Sequence, residues 1–276
     1  MAWTHRYCFL GTPLLRQGAE VAAAQALVRG GAPVGFLGID LLGSTGAVSE
    51  ALSEACGSEF PPVVFTESER GALRRTNGAW DLQLSAKRRR ELRRQRRRLE
   101  EEVGAEVRTV DRAGDPAAVE RFLSLEGSGW KAAKGTALSS DPAHTAFFRR
   151  ICHAFGERGK LQLLSLEADG SPYAMLCSLV GSTTLFQFKI AFDEAWAQFG
   201  PGIQIEADAV ERMGSAFTDV RLIDSCADPS NTMANKVFPD RIHLQTVAIP
   251  GGFSGRRNLM FMRAALKARN AVRRFR

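Results

Sequence analysis

The stretch from Lys160 to Phe192 constrains the fold more than any other part of the chain. Leu161–Glu167 reads as a strand, Asp169-Gly170 as a two-residue turn and Pro172–Val180 as the returning strand. Asp-Gly between such runs is a strong hairpin signal, because both turn positions call for positive φ. Gly181 and Ser182 lead into Thr183–Phe192. There, alternation predicts Phe186, Phe188, Ile190 and Phe192 on one face and Gln187, Lys189 and Ala191 on the other. A meander of three antiparallel strands follows. After a loop over Asp193–Phe199, Gly200-Pro201-Gly202 opens a helix whose buried face carries Ile203, Ala207, Val210 and Met213. Val220–Asp224 and His243–Ile249 supply further strands.

Upstream, strands at Tyr7–Leu10, Val34–Ile39 and Val63–Phe65 alternate with helices over 19–29 and 46–56, the pattern of a small α/β layer. Ser85 is placed to cap a helix over 86–103 that Gly104 ends. A strand near Glu106–Val110 and helices near Asp115–Leu125 and over 142–157 precede the meander. The expected fold class is therefore α/β, of the α+β kind. Residues 81–250 form a mixed, centrally antiparallel sheet flanked by helices, preceded by a smaller α/β half (1–80) and followed by a basic amphipathic helix (251–276). No repeat of solenoid period is visible.

At 276 residues, 45% hydrophobic and 24% charged, the chain has the make-up of a globular protein with a sizeable core, which excludes a fibre or a disordered polymer. No apolar run approaches the roughly 20 residues of a membrane-spanning helix, and the first residues lack the basic-then-apolar order of a signal peptide. The expected compartment is the cytoplasm, with or without a peripheral place at the inner membrane. Five cysteines without a Cys-x-x-Cys pair fit reduced thiols. Four histidines without ligand spacing argue against a metal.

The net charge of +7 conceals an acidic body. Residues 87–98 (KRRRELRRQRRR) carry +8, residues 256–276 carry another +8, and the remainder carries −9. The first run is either a solvated helix face, with Glu100, Glu101 and Glu102 offsetting Arg96–Arg98, or a cradle for an anionic partner such as RNA, anionic lipid or an acidic polysaccharide. It has no interleaved aromatics, which disfavours stacking on single-stranded nucleic acid. The second run alternates its basics with Leu259, Phe261, Met262, Leu266, Val272 and Phe275, as an amphipathic surface helix or one packed on its own domain would.

The Gly-Pro-Gly helix start is the most informative chemical feature. Proline suits the first helical position, and the open amides of a helix N-terminus favour anions, pyrophosphate especially; the plainer reading is turn punctuation. A meander followed by such a helix start resembles the core order of the GNAT acyltransferases. Their phosphate loop reads Arg/Gln-x-x-Gly-x-Gly/Ala, and Ala197-Gln198-Phe199-Gly200-Pro201-Gly202 keeps both glycines but has Ala197 at the first position. Residues 87–99 (KRRRELRRQRRRL), Gly129-Trp130-Lys131 with Gly135-Thr136, Phe188–Asp193 and Asp224-Ser225-Cys226-Ala227, in this order, resemble the cellulose-biosynthesis acetyltransferase-like (CelD/BcsL) group, relatives of the FemABX transferases. The resemblance covers roughly 80–245. Trp3–Leu14 is similar to an internal stretch of such proteins, which implies a truncated N-terminal half.

The resemblance implies acetyl-CoA, or another acyl-CoA, as co-substrate. Phe188, Lys189, Ile190 and Ala191 would align its pantetheine arm, and Phe199, Gly200, Pro201, Gly202 and Ile203 would cradle its pyrophosphate. It implies transfer to an amine or sugar-derived acceptor, a small molecule or glycan precursor, in exopolysaccharide or envelope metabolism. Acyl transfer needs a deprotonated nucleophile, a polarised thioester and a proton for the leaving thiolate. GNAT enzymes often take that proton from a tyrosine after the Asp224 strand, but Tyr7 and Tyr173 are the only tyrosines here and neither lies there. Asp224 is a candidate base or the cap of its own following turn. Lys189 is a candidate for polarising a carbonyl or orienting an acceptor, or else a salt-bridge partner of Asp193 or Glu206. Glu126, Trp130 and Lys131 are candidate acceptor-site residues, with Trp130 otherwise a core plug. Cys226 is either an acyl-accepting nucleophile or a buried, inert thiol. Two other functions stay open: an aminoacyl-tRNA-dependent FemABX-like transferase whose basic helix holds RNA, and a non-catalytic module that docks on nucleic acid or membrane through its basic segments.

Overall fold

The computed structural model describes all residues except 1, 4–6, 32–34, 130–132 and 275–276. In chain order its elements are β1 (Ala2–Trp3), α1 (Glu20–Gly31), β2 (Phe36–Gly43), α2 (Ala47–Cys56), β3 (Val63–Arg74), α3 (Ala86–Val103), β4 (Arg108–Asp111), α4 (Ala118–Ser128), α5 (Pro142–Gly156), β5 (Leu161–Ala168), β6 (Ser171–Gly181), β7 (Thr184–Phe192), α6 (Pro201–Ala216), β8 (Leu222–Asp224), α7 (Thr232–Val237), β9 (Asp240–Pro250) and α8 (Phe253–Arg274), with 3-10 turns at Leu138–Ser140 and Glu194–Phe199. The chain divides into two compact units, Met1–Glu69 with Ile242–Arg276, and Arg70–Arg241.

In the second unit the strand order is β3-β8-β7-β6-β5-β4, with β3 contributing its last residues. All neighbours are antiparallel except β7 and β8, which run parallel. The expected mixed, centrally antiparallel sheet flanked by helices is thus present. The meander forms as the sequence reads: Asp169 (φ 49°) and Gly170 (φ 80°) both take positive φ, closing the β5–β6 hairpin. Helix α3 starts where Ser85 Oγ accepts the Arg88 amide at 3.2 Å and ends at left-handed Gly104. Ile203, Ala207, Val210 and Met213 of α6 are all buried, in one cluster with Leu185, Ile223 and Phe238. A second cluster joins Leu99 of α3 to Leu164, Leu166, Leu176, Phe199 and Ile205. On the opposite face, Phe122 of α4 and Phe148 of α5 lie with ring centroids 5.0 Å apart, and Phe148 meets Phe188 of β7 at 6.0 Å.

The faces of β7 differ from simple alternation. Cys177 pairs with Lys189 and Ser178 with Gln187, so Phe188 is an extra residue with no partner position on β6. This bulge turns one residue over. Phe188 joins the phenylalanines of α5, while Ile190 and Phe192 join the cluster that includes Ile205 of α6. The four residues expected on one face are split between two, because a period of two cannot survive an inserted residue.

In the first unit, β1 pairs parallel with β2, and β2 antiparallel with β9. Ala24 of α1, Ala51 and Leu52 of α2, Ile39, Leu42, Val247 and Ile249 form its core. Leu259 of α8 is fully buried in a cluster with Val63 and Ala248, and a Cβ on Gly255 would fall 2.1 Å from the Gly35 carbonyl oxygen, so the helix approaches that backbone only as glycine. Phe253, Met260, Phe261 and Met262 are exposed. Over its described side chains helix α8 therefore packs by one narrow seam; Phe275 lies outside the described residues.

Three elements depart from expectation. Tyr7–Leu10 is not a strand; the residues after it meet β2 through Gly11, which donates to the Leu41 carbonyl, and Thr12, whose Oγ1 accepts the Gly43 amide, in place of a ladder. Strand β3 runs twelve residues, not three, because Ala72–Arg74 pair with Leu222–Asp224 despite the charged stretch before them. Helix α7 stands where no helix was expected; six residues are too few to show a helical period, and Asn231 Oδ1 holds it by accepting the Met233 and Ala234 amides.

Candidate active site

Strands β7 and β8 run side by side only from Thr184↔Leu222 to Phe186↔Asp224. Beyond that pair β7 bulges at Phe188, while β8 gives way to Ser225 and Cys226, the latter at φ 49°. The strands part, and a cavity of about 140 Å³ opens between them. Gln187, Lys189 and Ile190 line it on one side, Cys226 and Met233 on the other, and Glu206 of α6 forms part of its wall. Bulges recur beside active sites because they re-aim side chains and end pairing, and this one does both.

Glu206 is 5% exposed. Burial raises its pKa to about 7, and the nearby Gln187 amide opposes the shift without reaching hydrogen-bonding geometry. A carboxyl of that pKa can serve as acid or base near neutrality. From sequence alone Glu206 is only an alternative ion-pair partner for Lys189. The signal for more was its spacing: three residues after Ile203 and four before Val210, it sits within the apolar stripe of α6, where a solvated glutamate has no place.

Two predicted site residues are brought together. Lys189 Nζ lies 3.4 Å from Glu126 Oε1, and Glu126 Oε2 accepts the Leu138 amide at 2.8 Å. The partner of Lys189 is thus Glu126 rather than Asp193 or Glu206. Glu126 is 2% exposed. Trp130 and Lys131, the other expected acceptor-site residues, lie outside the described residues.

Asp224 is held from two sides. Its Oδ2 meets Arg70 at 2.5 Å, both side chains being buried, and its Oδ1 accepts the Cys226 amide at 2.9 Å. The second contact is the turn-capping alternative of the sequence reading. Both oxygens of Asp224 are thus committed within the protein. The Cys226 thiol is pushed well up by burial and then by the Asp224 charge, with Arg70 opposing. No histidine lines the cavity among the described residues, so the thiolate that a nucleophile needs is disfavoured.

Helix α6 begins at Gly200 (φ 63°), followed by Pro201 at the first helical position. The first-turn amides of Gly202 and Ile203 have no intrahelical acceptors, which suits an anion. Phe199, Pro201, Gly202 and Ile203 are buried, and a Cβ at Gly200 would lie 3.3 Å from Gln95 Oε1 of α3, a buried atom without a hydrogen-bond partner. The basic helix therefore lies against this turn. Arg96 donates to Gln204 and Val107 and pairs with Asp208 at 2.7 Å, and Arg98 stands 5.5 Å from the Phe199 ring centroid. Arg94 pairs with Glu91 and Arg89 with Asp81. Lys87, Arg90, Arg93 and Arg97 are exposed and make no ion pair among the described residues.

The strand order, the bulged central strand parting from its parallel neighbour, and the glycine-flanked helix start beside the gap define a GNAT-like fold. Residues 86–228 match the model described as the acetyltransferase (GNAT) domain, and the chain belongs to that family. Acyl transfer, in general terms, is the activity that follows. No curated protein matches the chain. Similar solved structures include a conserved protein of unknown function from Bacteroides thetaiotaomicron (12% identity, 83% of this chain and 75% of that one, TM-score 0.55). Another is the C-terminal DUF2156 domain of a candidate lysylphosphatidylglycerol synthetase from Agrobacterium fabrum (13% identity, 87% and 75%, TM-score 0.54). At these identities they bear on fold alone. No helix among the described residues is long and apolar enough to cross a membrane.

Proposed function

We propose that this protein moves an acyl group, acetyl first of all, from acyl-CoA to an amine or sugar-derived acceptor. The observation that carries the reading is the parting of β7 and β8 beyond Phe186↔Asp224, which leaves a slot between strand segments beside the start of α6. In this reading the thioester arm enters the slot along Phe188–Ala191, and the amides of Gly202 and Ile203 receive the pyrophosphate. The fit is good in charge, since helix N-terminus and basic α3 are both electropositive; in shape it requires Gln95 to turn away from Gly200. The Lys189–Glu126 pair stands on the opposite sheet face from α6 and is assigned to the acceptor, Lys189 orienting an anionic group or the thioester carbonyl and Glu126 holding Lys189 in place. The acceptor class, with a role in exopolysaccharide or envelope metabolism, is carried by the resemblance to the cellulose-biosynthesis acetyltransferase-like group.

Calorimetric titration with acetyl-CoA tests this, alongside Gly202→Asp, which adds a carboxylate beside those amides with its Cβ against Phe192, Met233 and Ile190. The expected result is saturable binding that the variant loses. No binding by the folded native protein excludes CoA as carrier. The exposed cations of α3 favour one second reading, in which aminoacyl-tRNA is the donor. RNA binding that weakens steeply between 50 and 200 mM salt would support it.

A further inference from the structure

A row of buried polar side chains runs through the sheet to the slot. Gln162 of β5 is directly paired with Ser178 of β6, and Ser178 with Gln187 of β7, so the three lie side by side across adjacent strands. All three are at most 4% exposed, and each keeps at least one buried polar atom without a hydrogen-bond partner: Gln162 Oε1, Ser178 Oγ and both amide atoms of Gln187. Gln162 Nε2 approaches Met213 Sδ of α6 at 4.0 Å, which places the row on the α6 side of the sheet. Glu206 of α6 stands against Gln187, its Oε2 also buried and without partner, in the wall of the cavity between β7 and β8. Interiors seldom leave so many polar atoms unpaired in one place. A polar ligand in the slot would answer those at its mouth.

We propose that Glu206 is the acid that protonates the leaving thiolate, with Gln187 placing the ligand's amides beside it. This rests on the acyl-CoA reading above. The acceptor nitrogen attacks the thioester carbonyl carbon, the C–N bond forms and the tetrahedral intermediate collapses. The C–S bond breaks with its electron pair going to sulfur, Glu206 gives sulfur its proton, and the carboxylate regains a proton released by the acceptor nitrogen. The charged groups around the site do not compete for this step. Lys189 pairs with Glu126, Asp224 with Arg70 and Asp208 with Arg96, while the Cys226 thiol stays protonated and Asn231 on the approach to α7 is neutral. Among the described residues no tyrosine lines the slot, and Glu206 is the carboxyl of α6 in its wall.

The test is calorimetry of CoA and acetyl-CoA binding near pH 7 in buffers of different ionisation enthalpy, on the native protein and Glu206→Gln. Thiol release from acetyl-CoA in a single turnover, with hydroxylamine as acceptor, is measured in parallel. The expected result is proton exchange on CoA binding that the variant loses while still binding, with thiol release slowed roughly 10²–10⁴-fold and its pH limb near 7 removed. Binding with no Glu206-dependent proton exchange, or thiol release by the native protein that is absent or equal to that of the variant, overturns the role of Glu206 and leaves the acyl-CoA reading standing. No binding of either compound by the native protein overturns both.

Discussion

Arg70 and Asp224, 154 residues apart in sequence, meet as a buried ion pair with 2.5 Å between nitrogen and oxygen. The pair locks the last residues of β3 to the end of β8, where Ala72 already faces Asp224 across the ladder. It also stands directly beneath the turn that opens the slot, through the Asp224 bond to the Cys226 amide.

Arg70→Met is therefore expected to destabilise the protein by roughly 3–5 kcal/mol, because it strands a buried carboxylate. Arg70→Met/Asp224→Asn should recover a large part of that loss. Urea unfolding of the two variants checks this; a single variant as stable as the native protein would show that the pair contributes nothing.

Lys189→Met removes the cation beside Glu126, which is almost wholly buried. A loss of several kcal/mol is expected, and Lys189→Met/Glu126→Gln should be the more stable of the two. If Lys189 orients the acceptor, both variants keep acetyl-CoA affinity while acceptor KM rises, which separates a positioning role from a purely structural one.

The pKa of Glu206, raised to about 7 by burial, has a stability consequence. The neutral acid is favoured in the fold, so its contribution is fully present below the ordinary glutamate range, about 4.3. It falls away as pH rises toward 7 and is constant above that. At 1.36 kcal/mol per unit the total is roughly 3–4 kcal/mol. Unfolding free energies of native protein and Glu206→Gln, measured from pH 4.5 to 8, should diverge by that amount, the native protein losing ground as pH rises. Parallel curves would refute the shift.

Gly200→Ala puts a side chain at φ 63° and against Gln95. A loss of about 1–2 kcal/mol is expected from the backbone alone. Gln95→Ala in the same background should return part of it if contact with Gln95 adds to the strain, as thermal unfolding would report.

The parts of the fold legible in the sequence are those ruled by near neighbours. The β5–β6 hairpin follows from Asp169-Gly170 and its flanking runs, α3 from Ser85 and Gly104, and the buried stripe of α6 from its period of 3.6. The glycines of the helix start and the pairing-prone character of Lys189 were legible too. The bulge at Phe188 was not, since an inserted residue leaves no mark on a strand that is apolar at alternate positions before and after it. Glu126 and Lys189 were both singled out, yet nothing local says that residues on α4 and β7 should touch.

By itself, then, the sequence determined the meander, the helix ends and the order of elements, because backbone periodicity and turn chemistry act over a few residues. Tertiary structure alone decided which charges became pairs, which carboxylate became a titrating acid and where two strands part. Those outcomes depend on desolvation and on the approach of residues such as Arg70 and Asp224, far apart in the chain. A carboxylate takes its chemistry from what surrounds it: Asp224 met an arginine, while Glu206 met an amide and a slot.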